Sequence, residues 1–447
     1  MKRTISMLLA VIICAGMLTA CGGTGAAPTE AATTSSAATE LQTEATTTVS
    51  AAPTADIPIR FMYWNKEESL AELVKLIQDK VEGVDFQFEF VDIASFQQVY
   101  NTQLSAGEGP DILCMEKVWV EAAAGYPLEL TQYDFVSRYT ESVIDEMSVD
   151  GRVYAIPGVS WFGGWFYNKG LFDQQGWTIP KTYDEFLDLC ERIQQAGIMP
   201  IANPIQNPNF LMHYALGYVM PAYTRSPEGM NFDKDFGAGK VNMADHFGPY
   251  LDKWAEVVRR GYVSAIDLGK EYDQAIDEFS IGAAAIFDSG PWDVDIIYEK
   301  NPDIVIDMMP FVGDDPNDPG WLFGGPGIRF GINAKMGEPG NENKLDACVR
   351  ILDLISTPEG QYAYWENNKG GSSYLKGVEL EMPPEYDGVR EVFAAGQVYA
   401  PWNPWAMGVY EEFGTQLQGF VAGDTSLEEV MEATDAKSQE VLAMGDN

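Results

Sequence analysis

Histidine is almost missing from this 447-residue chain: His213 and His246 are its two. So thin a supply argues against histidine-based catalysis and against a metal centre built from several imidazoles. Cysteine is scarce as well. Beyond Cys14 and Cys21 there are Cys114, Cys190 and Cys348, widely spaced and each beside apolar residues. An odd number without paired spacing predicts free, buried thiols and no disulfide framework. Basic residues are few, 28 against 67 acidic ones, for a net charge of −39. That balance argues against nucleic acid and against an anionic bilayer as partners of the protein surface, and reads as a soluble acidic exterior. The apolar run Ile5 to Leu18 is too short to span a membrane as a mature helix.

That run has the length of a signal-peptide core, and Lys2 and Arg3 give it a positive start. Leu18-Thr19-Ala20-Cys21 follows it and resembles the bacterial lipobox, in which the signal is cut before the cysteine and the new terminus is lipidated. The competing reading is an ordinary secretory signal with a chance cysteine. The resemblance implies a signal over residues 1–20, a lipid anchor at Cys21 and export to the outer face of the cytoplasmic membrane, in keeping with a Gram-positive surface. Gly22 to Ala55 is almost all Ala, Thr, Ser, Gly, Pro and Glu, with Leu41 and Val49 its only large aliphatics and no aromatic residue. Such a stretch buries too little apolar surface to offset its chain entropy, so 21–55 is expected to be a disordered tether. Its r.m.s. span would be roughly 30 Å.

From Asp56 onward the composition changes, and the body is long enough for two cores. Ile57 to Trp64 reads as a strand. Leu70, Leu73, Val74, Ile77 and Val81 fall at helical spacing, and Phe86, Phe88 and Phe90 alternate at strand period. A second helix carries Phe96, Val99, Tyr100 and Leu104, and a third strand runs over 111–115. This βαβαβ order predicts a parallel sheet with ligands beyond its carboxyl ends, where Trp64, Glu116 and Trp119 lie. Further on, Thr182 and Glu185 make a capping box ahead of Tyr183, Phe186, Leu189 and Ile193 on one helix face.

Five segments then stand in a telling order: Asp150 to Pro157, Phe166 to Phe172, Pro180 to Phe186, Gly282 to Trp292, and Gly331-Ile332-Asn333 before a helix and Thr357-Pro358-Glu359-Gly360. Together, from about Ile57 to the C-terminus, they resemble the family 1 extracellular solute-binding proteins of ABC importers. The resemblance implies an α/β fold of two lobes, each a sheet flanked by helices, with a hinge and an interlobe ligand cleft. It places chain crossings near Ile156-Pro157, Met309-Pro310 and Asn333. Lobe one is expected at 56–157 with 310–345, and lobe two at 158–309 with 346–447.

A sugar offers CH faces to aromatic rings and hydroxyls to polar groups, so its site joins Trp platforms to carboxylates, amides and guanidinium. The candidate binding residues are Trp64, Asp111, Glu116, Trp161, Trp165, Asp288, Trp292, Trp321, Arg329, Trp402 and Trp405. Trp292 follows a Gly-Pro turn and Trp402 and Trp405 sit in a proline-stiffened segment. Trp177 and Trp254 are assigned to packing. The expected function is an importer receptor with an oligosaccharide ligand and permease partners, a monomer with no cofactor, metal or catalytic residue. Two alternatives stay open: the same fold holding a polyamine, peptide or phosphorylated polyol, and a lipid-anchored glycoside hydrolase, which needs two carboxylates about 5–9 Å apart.

Overall fold

The computed structural model describes residues 56–367 and 369–445; the signal-like segment, Cys21 and the expected tether lie outside them. In chain order the strands are β1 (Ile57–Tyr63), β2 (Val84–Phe90), β3 (Ile112–Met115), β4 (Ser148–Val149), β5 (Arg152–Val153), β6 (Ile156–Pro157), β7 (Trp161–Asn168), β8 (Met199–Ala202), β9 (Ala284–Ser289), β10 (Ile306–Met309), β11 (Phe323–Gly325) and β12 (Arg329–Ile332). No helix among the described residues is long and apolar enough to cross a membrane.

The first sheet has the order β2-β1-β3-β12-β6. β1 pairs in parallel with both β2 and β3, as the βαβαβ reading requires, while β12 runs antiparallel to β3 and β6. β3, Ile-Leu-Cys-Met, is buried along its whole length because neighbours flank it on both edges. The helix Ala71–Lys80 turns Leu73, Val74 and Ile77 onto this sheet, and Glu342–Ile355 adds Ala347, Cys348, Ile351, Leu352 and Ile355. One hydrophobic core results, running from Ile59 to Val159 and again from Ile328 to Leu375.

The second sheet has the order β10-β7-β9-β8, with β11 on the same edge of β7 as β10 but further toward its start. The helix Tyr183–Gln195 buries Tyr183, Phe186, Leu189 and Ile193 against it. Thr182 accepts from Glu185 N at 3.3 Å, and the Glu185 carboxylate accepts from Lys181 N at 2.8 Å. The box is thus closed one residue early. Cys114, Cys190 and Cys348 are free and buried.

The cores divide the chain differently from the expected boundaries. Met309 and Phe311 pack in the second lobe, since β10 and β11 both hydrogen-bond to β7 and hold 306–325 there. The crossing back falls at Pro326-Gly327 instead of Met309-Pro310. Residues 346–375, expected in lobe two, pack under the first sheet, and the chain leaves that core only between Leu375 and Met382. Periodicity located these helices but carried no information on which sheet they cover.

Two crossings run side by side. Gly158 N donates to Ile328 O at 2.8 Å, and the third segment joins through Ser160 N to Ser372 O at 2.9 Å. A Cβ on Gly327 would stand 2.2 Å from Val159 O, and one on Gly371 would stand 2.0 Å from Ser160 O. Only glycine permits this approach. Gly327→Ala is therefore expected to lower stability by about 1–3 kcal/mol through overpacking, read as a drop in the urea midpoint. An unchanged midpoint would show that the crossings are not tightly packed.

Candidate functional site

The start of β7, the turn after β9 and the loop 400–405 converge at one end of the second sheet. They bring three indoles together. Trp161 lies 6.5 Å from Trp292 and 6.3 Å from Trp402 between ring centroids. Trp292 is 42% exposed, which leaves a ring face open to a ligand. Gly290 makes the gathering possible, because a Cβ there would stand 2.3 Å from the Trp292 ring and 2.4 Å from Phe162 O.

Two buried carboxylates beneath the wall fix its rings. Asp288 Oδ2 is 3.0 Å from His213 Nδ1, and the His213 ring stacks on Trp402 at 5.1 Å and 21°. Asp293 accepts hydrogen bonds from the hydroxyls of Ser289 and Tyr272, and Tyr272 in turn accepts from Trp292 Nε1 at 3.2 Å. Burial pushes the Asp293 carboxyl up to about 6 against these hydroxyl bonds, and raises Asp288 against the opposing His213. Phe210 stacks on Tyr272 at 5.3 Å and meets His213 at 5.9 Å, closing the back of the wall. Rings held in this way lose little freedom when a ligand arrives.

The facing groups come from lobe one. Glu116 and Lys117 follow β3, and Arg329 opens β12 directly opposite Met115. Burial raises Glu116, with a hydrogen bond from Gln97 and the charges of Lys117 and Arg329 opposing it. Burial lowers Lys117 to about 8, and also lowers Arg329, whose charge is favoured by Glu146, Tyr374 and Glu116. Behind them Glu121 accepts from Glu116 N at 3.1 Å and from the Tyr100 hydroxyl at 3.1 Å, yet burial holds it at about 7. Among the described residues no group of three or more His, Cys, Asp or Glu is placed to hold a metal ion.

The expected residues separate into those at the site and those elsewhere. Trp161, Trp292 and Trp402 form the wall, Asp288 supports it, and Glu116 and Arg329 line the other lobe. Trp405 is 0% exposed and meets Phe236 and Phe413 edge-on, so it belongs to the core. Trp165 is buried between Phe186, Tyr214 and Phe311. Asp111 is committed to lobe one, pairing with Lys344 at 3.0 Å and accepting from Arg60 N at 2.9 Å. Trp64 packs on Phe96 at 5.2 Å, and Trp321 bonds its main chain to Phe311. Among the described residues, neither has a ring contact with the wall. Sequence reasoning passed over Lys117, Phe210, His213 and Tyr272. Lys117 adjoins Glu116 at the strand end and was findable there, whereas Phe210, His213 and Tyr272 sit on helices whose packing partners no local pattern announces.

Two outcomes test these assignments. Trp405→Ala should cost about 3–5 kcal/mol of stability as a core truncation, and Trp292→Ala less than about 1; equal losses in denaturant unfolding would contradict the division. The second concerns pH. Asp233, held at about 7 by burial despite Arg225, joins Glu121 at about 7 and Asp293 at about 6. Unfolded carboxyls titrate near about 4, so the native state alone binds these protons between pH 4 and 7. Their stabilisation is complete below pH 4 and is lost as pH rises through 6 and 7. The melting temperature should be higher at pH 5 than at pH 8; a flat or rising profile would refute the burial of these groups.

Comparison with known proteins follows the same line. Residues 72–387 match the family model of the bacterial extracellular solute-binding protein. The multiple sugar-binding protein of Streptococcus mutans is 21% identical over 338 residues, 71% of this chain and 75% of that protein. A family 1 extracellular solute-binding protein from Bifidobacterium longum subsp. infantis shares the fold with a TM-score of 0.66 at 24% identity, covering 86% of this chain and 99% of that one. A sugar transporter of Bacillus licheniformis solved in complex with stachyose gives 0.67 at 17% identity, over 86% and 100%. With two sheets, three crossings and a match over most of its length, the chain belongs to the bacterial extracellular solute-binding protein family.

Proposed function

We propose that this protein is the substrate receptor of an ABC importer, capturing a neutral oligosaccharide between its lobes and catalysing no reaction. The observation that carries the reading is the wall of Trp161, Trp292 and Trp402, pinned from beneath and open on one side. Flat apolar faces flanked by polar groups are what the CH faces and hydroxyls of a sugar require. Arg329, Glu116 and Lys117 supply the hydrogen bonding from lobe one. Closure about the crossings at 158–160, 326–327 and 375–382 brings the two halves onto one ligand. The sugar-binding relative from Streptococcus mutans and the stachyose complex from Bacillus licheniformis support this ligand class. We further propose that Cys21 carries the lipid anchor, that the protein acts as an exported monomer on the outer face of the cytoplasmic membrane, and that it hands its ligand to permease subunits. Lobe one is then 56–159 with 328–380, and lobe two the remainder.

The test is calorimetric titration with raffinose, stachyose and chitotetraose, set against a polyamine and a peptide. Saturation by one glycan in the micromolar range, about −8 kcal/mol, is expected. Trp292→Ala and Trp402→Ala should each weaken it by roughly tenfold, about 1.4 kcal/mol. Saturation by the polyamine or peptide alone would keep the fold and overturn the carbohydrate reading. Release of reducing ends at enzyme-like rates would overturn the receptor.

A further inference from the structure

Away from the crossings, the Lys117 ammonium reaches from lobe one to the Trp405 carbonyl of lobe two. It makes no ion pair with any described residue, and a carbonyl uses one of its three donors. The half-buried side chain of Arg329, just after the crossing at Pro326-Gly327, donates no hydrogen bond to any described residue, although a guanidinium has five N–H groups. On the opposite side, Glu411 stands in the helix Val409–Ala422, six residues beyond Trp405. Its Oε2 is buried with no hydrogen-bond partner. The Glu411 carboxylate accepts a hydrogen bond from the Tyr410 hydroxyl, and its charge acts on Glu116 and Lys117, so the two lobes' groups share one space. A buried carboxylate oxygen without a partner destabilises the free protein. Groups so placed are complementary to something that both donates and accepts.

We propose that Lys117 and Glu411, one from each lobe, clamp a hydroxyl-rich ring of the ligand, with Glu411 accepting from a hydroxyl and Lys117 and Arg329 donating to ring or hydroxyl oxygens. The assignment rests on the receptor reading above and deepens it to a specificity. Acidic and basic groups alternate here: Glu116, Glu146 and Glu411 against Lys117 and Arg329. A neutral hydroxyl meets either kind. A ligand carboxylate would confront Glu116 and Glu411, and a ligand ammonium would confront Lys117 and Arg329. The clamp therefore selects neutral glycans over uronates and amino sugars.

Glu411→Met and Lys117→Met, in the full chain, separate this role from a structural one. Calorimetry with stachyose, raffinose and chitotetraose as probes gives affinity, and thermal melting gives the stability of the free protein. Each variant should lose about tenfold or more in affinity for the glycan that saturates the wild type. Free Glu411→Met should melt higher than the wild type, because a buried carboxylate oxygen without a partner has been removed. Affinity within about threefold of wild type in both variants overturns the clamp alone, as does a lower melting temperature for Glu411→Met. Failure of every glycan to bind the wild type overturns the receptor reading and the clamp with it.

Discussion

The side-by-side passage of two chain segments, tied by Gly158 N to Ile328 O at 2.8 Å, is the constraint on which the rest of this molecule depends. Each segment leaves one sheet and enters the other within a few residues. β6 and β12 sit together in the first sheet, and β7 and β11 sit together in the second. The two sheets are thereby joined through adjacent strands. Gly327 and Gly371 allow the approach, since neither position has room for a side chain. Few residues carry the connection, so rotation of one lobe on the other needs changes at few backbone dihedrals.

Given that frame, the site has two unlike halves. Lobe two offers indoles, and the turn Asp288-Ser289-Gly290-Pro291-Trp292-Asp293 is its organiser. Asp288 points to His213 and so to Trp402; Asp293 points through Tyr272 to Trp292. Two buried carboxylates five residues apart thus lock two of the three rings. Each carboxylate loses hydration on burial and regains hydrogen bonds, a compromise visible in the rise of both above the usual carboxylate range. Lobe one offers charge, with Arg329 and Lys117 both held below their ordinary values by burial. In the proposed receptor, stacking would supply area and charge direction, with lobe closure giving one ligand both.

Much of the fold was legible because local pattern and global packing agree. The periods of 70–81 and 86–90 and the strand at 111–115 fall on elements of the first sheet, and their order implied the parallel pairing that β1 makes with β2 and β3. Lobe membership was harder. Nothing in the helix around Cys348 tells which sheet its apolar stripe will cover, and β10 gives no sign that the chain stays in lobe two until Gly325. In the ring cluster, Trp292 and Trp402 stand at the turn and the loop that the sequence pointed to. Trp405 does not join them, since it shares the same Pro-rich segment yet points into the core against Phe236 and Phe413. His213 was counted as evidence against catalysis, which missed its use as a spacer between Asp288 and Trp402. Such roles are set by contacts 75 residues apart and leave no local trace.

The central claim is that the CH face of a glycan ring rests on the Trp161, Trp292 and Trp402 wall. Saturation-transfer difference NMR tests it at the level of atoms. Aromatic resonances of the protein are irradiated in the presence of the glycan that saturates it in calorimetry. The account predicts strong transfer to the ring CH protons of one sugar unit, and loss of that transfer in Trp292→Ala and Trp402→Ala. Transfer spread evenly over all units, or unchanged in both variants, would contradict it.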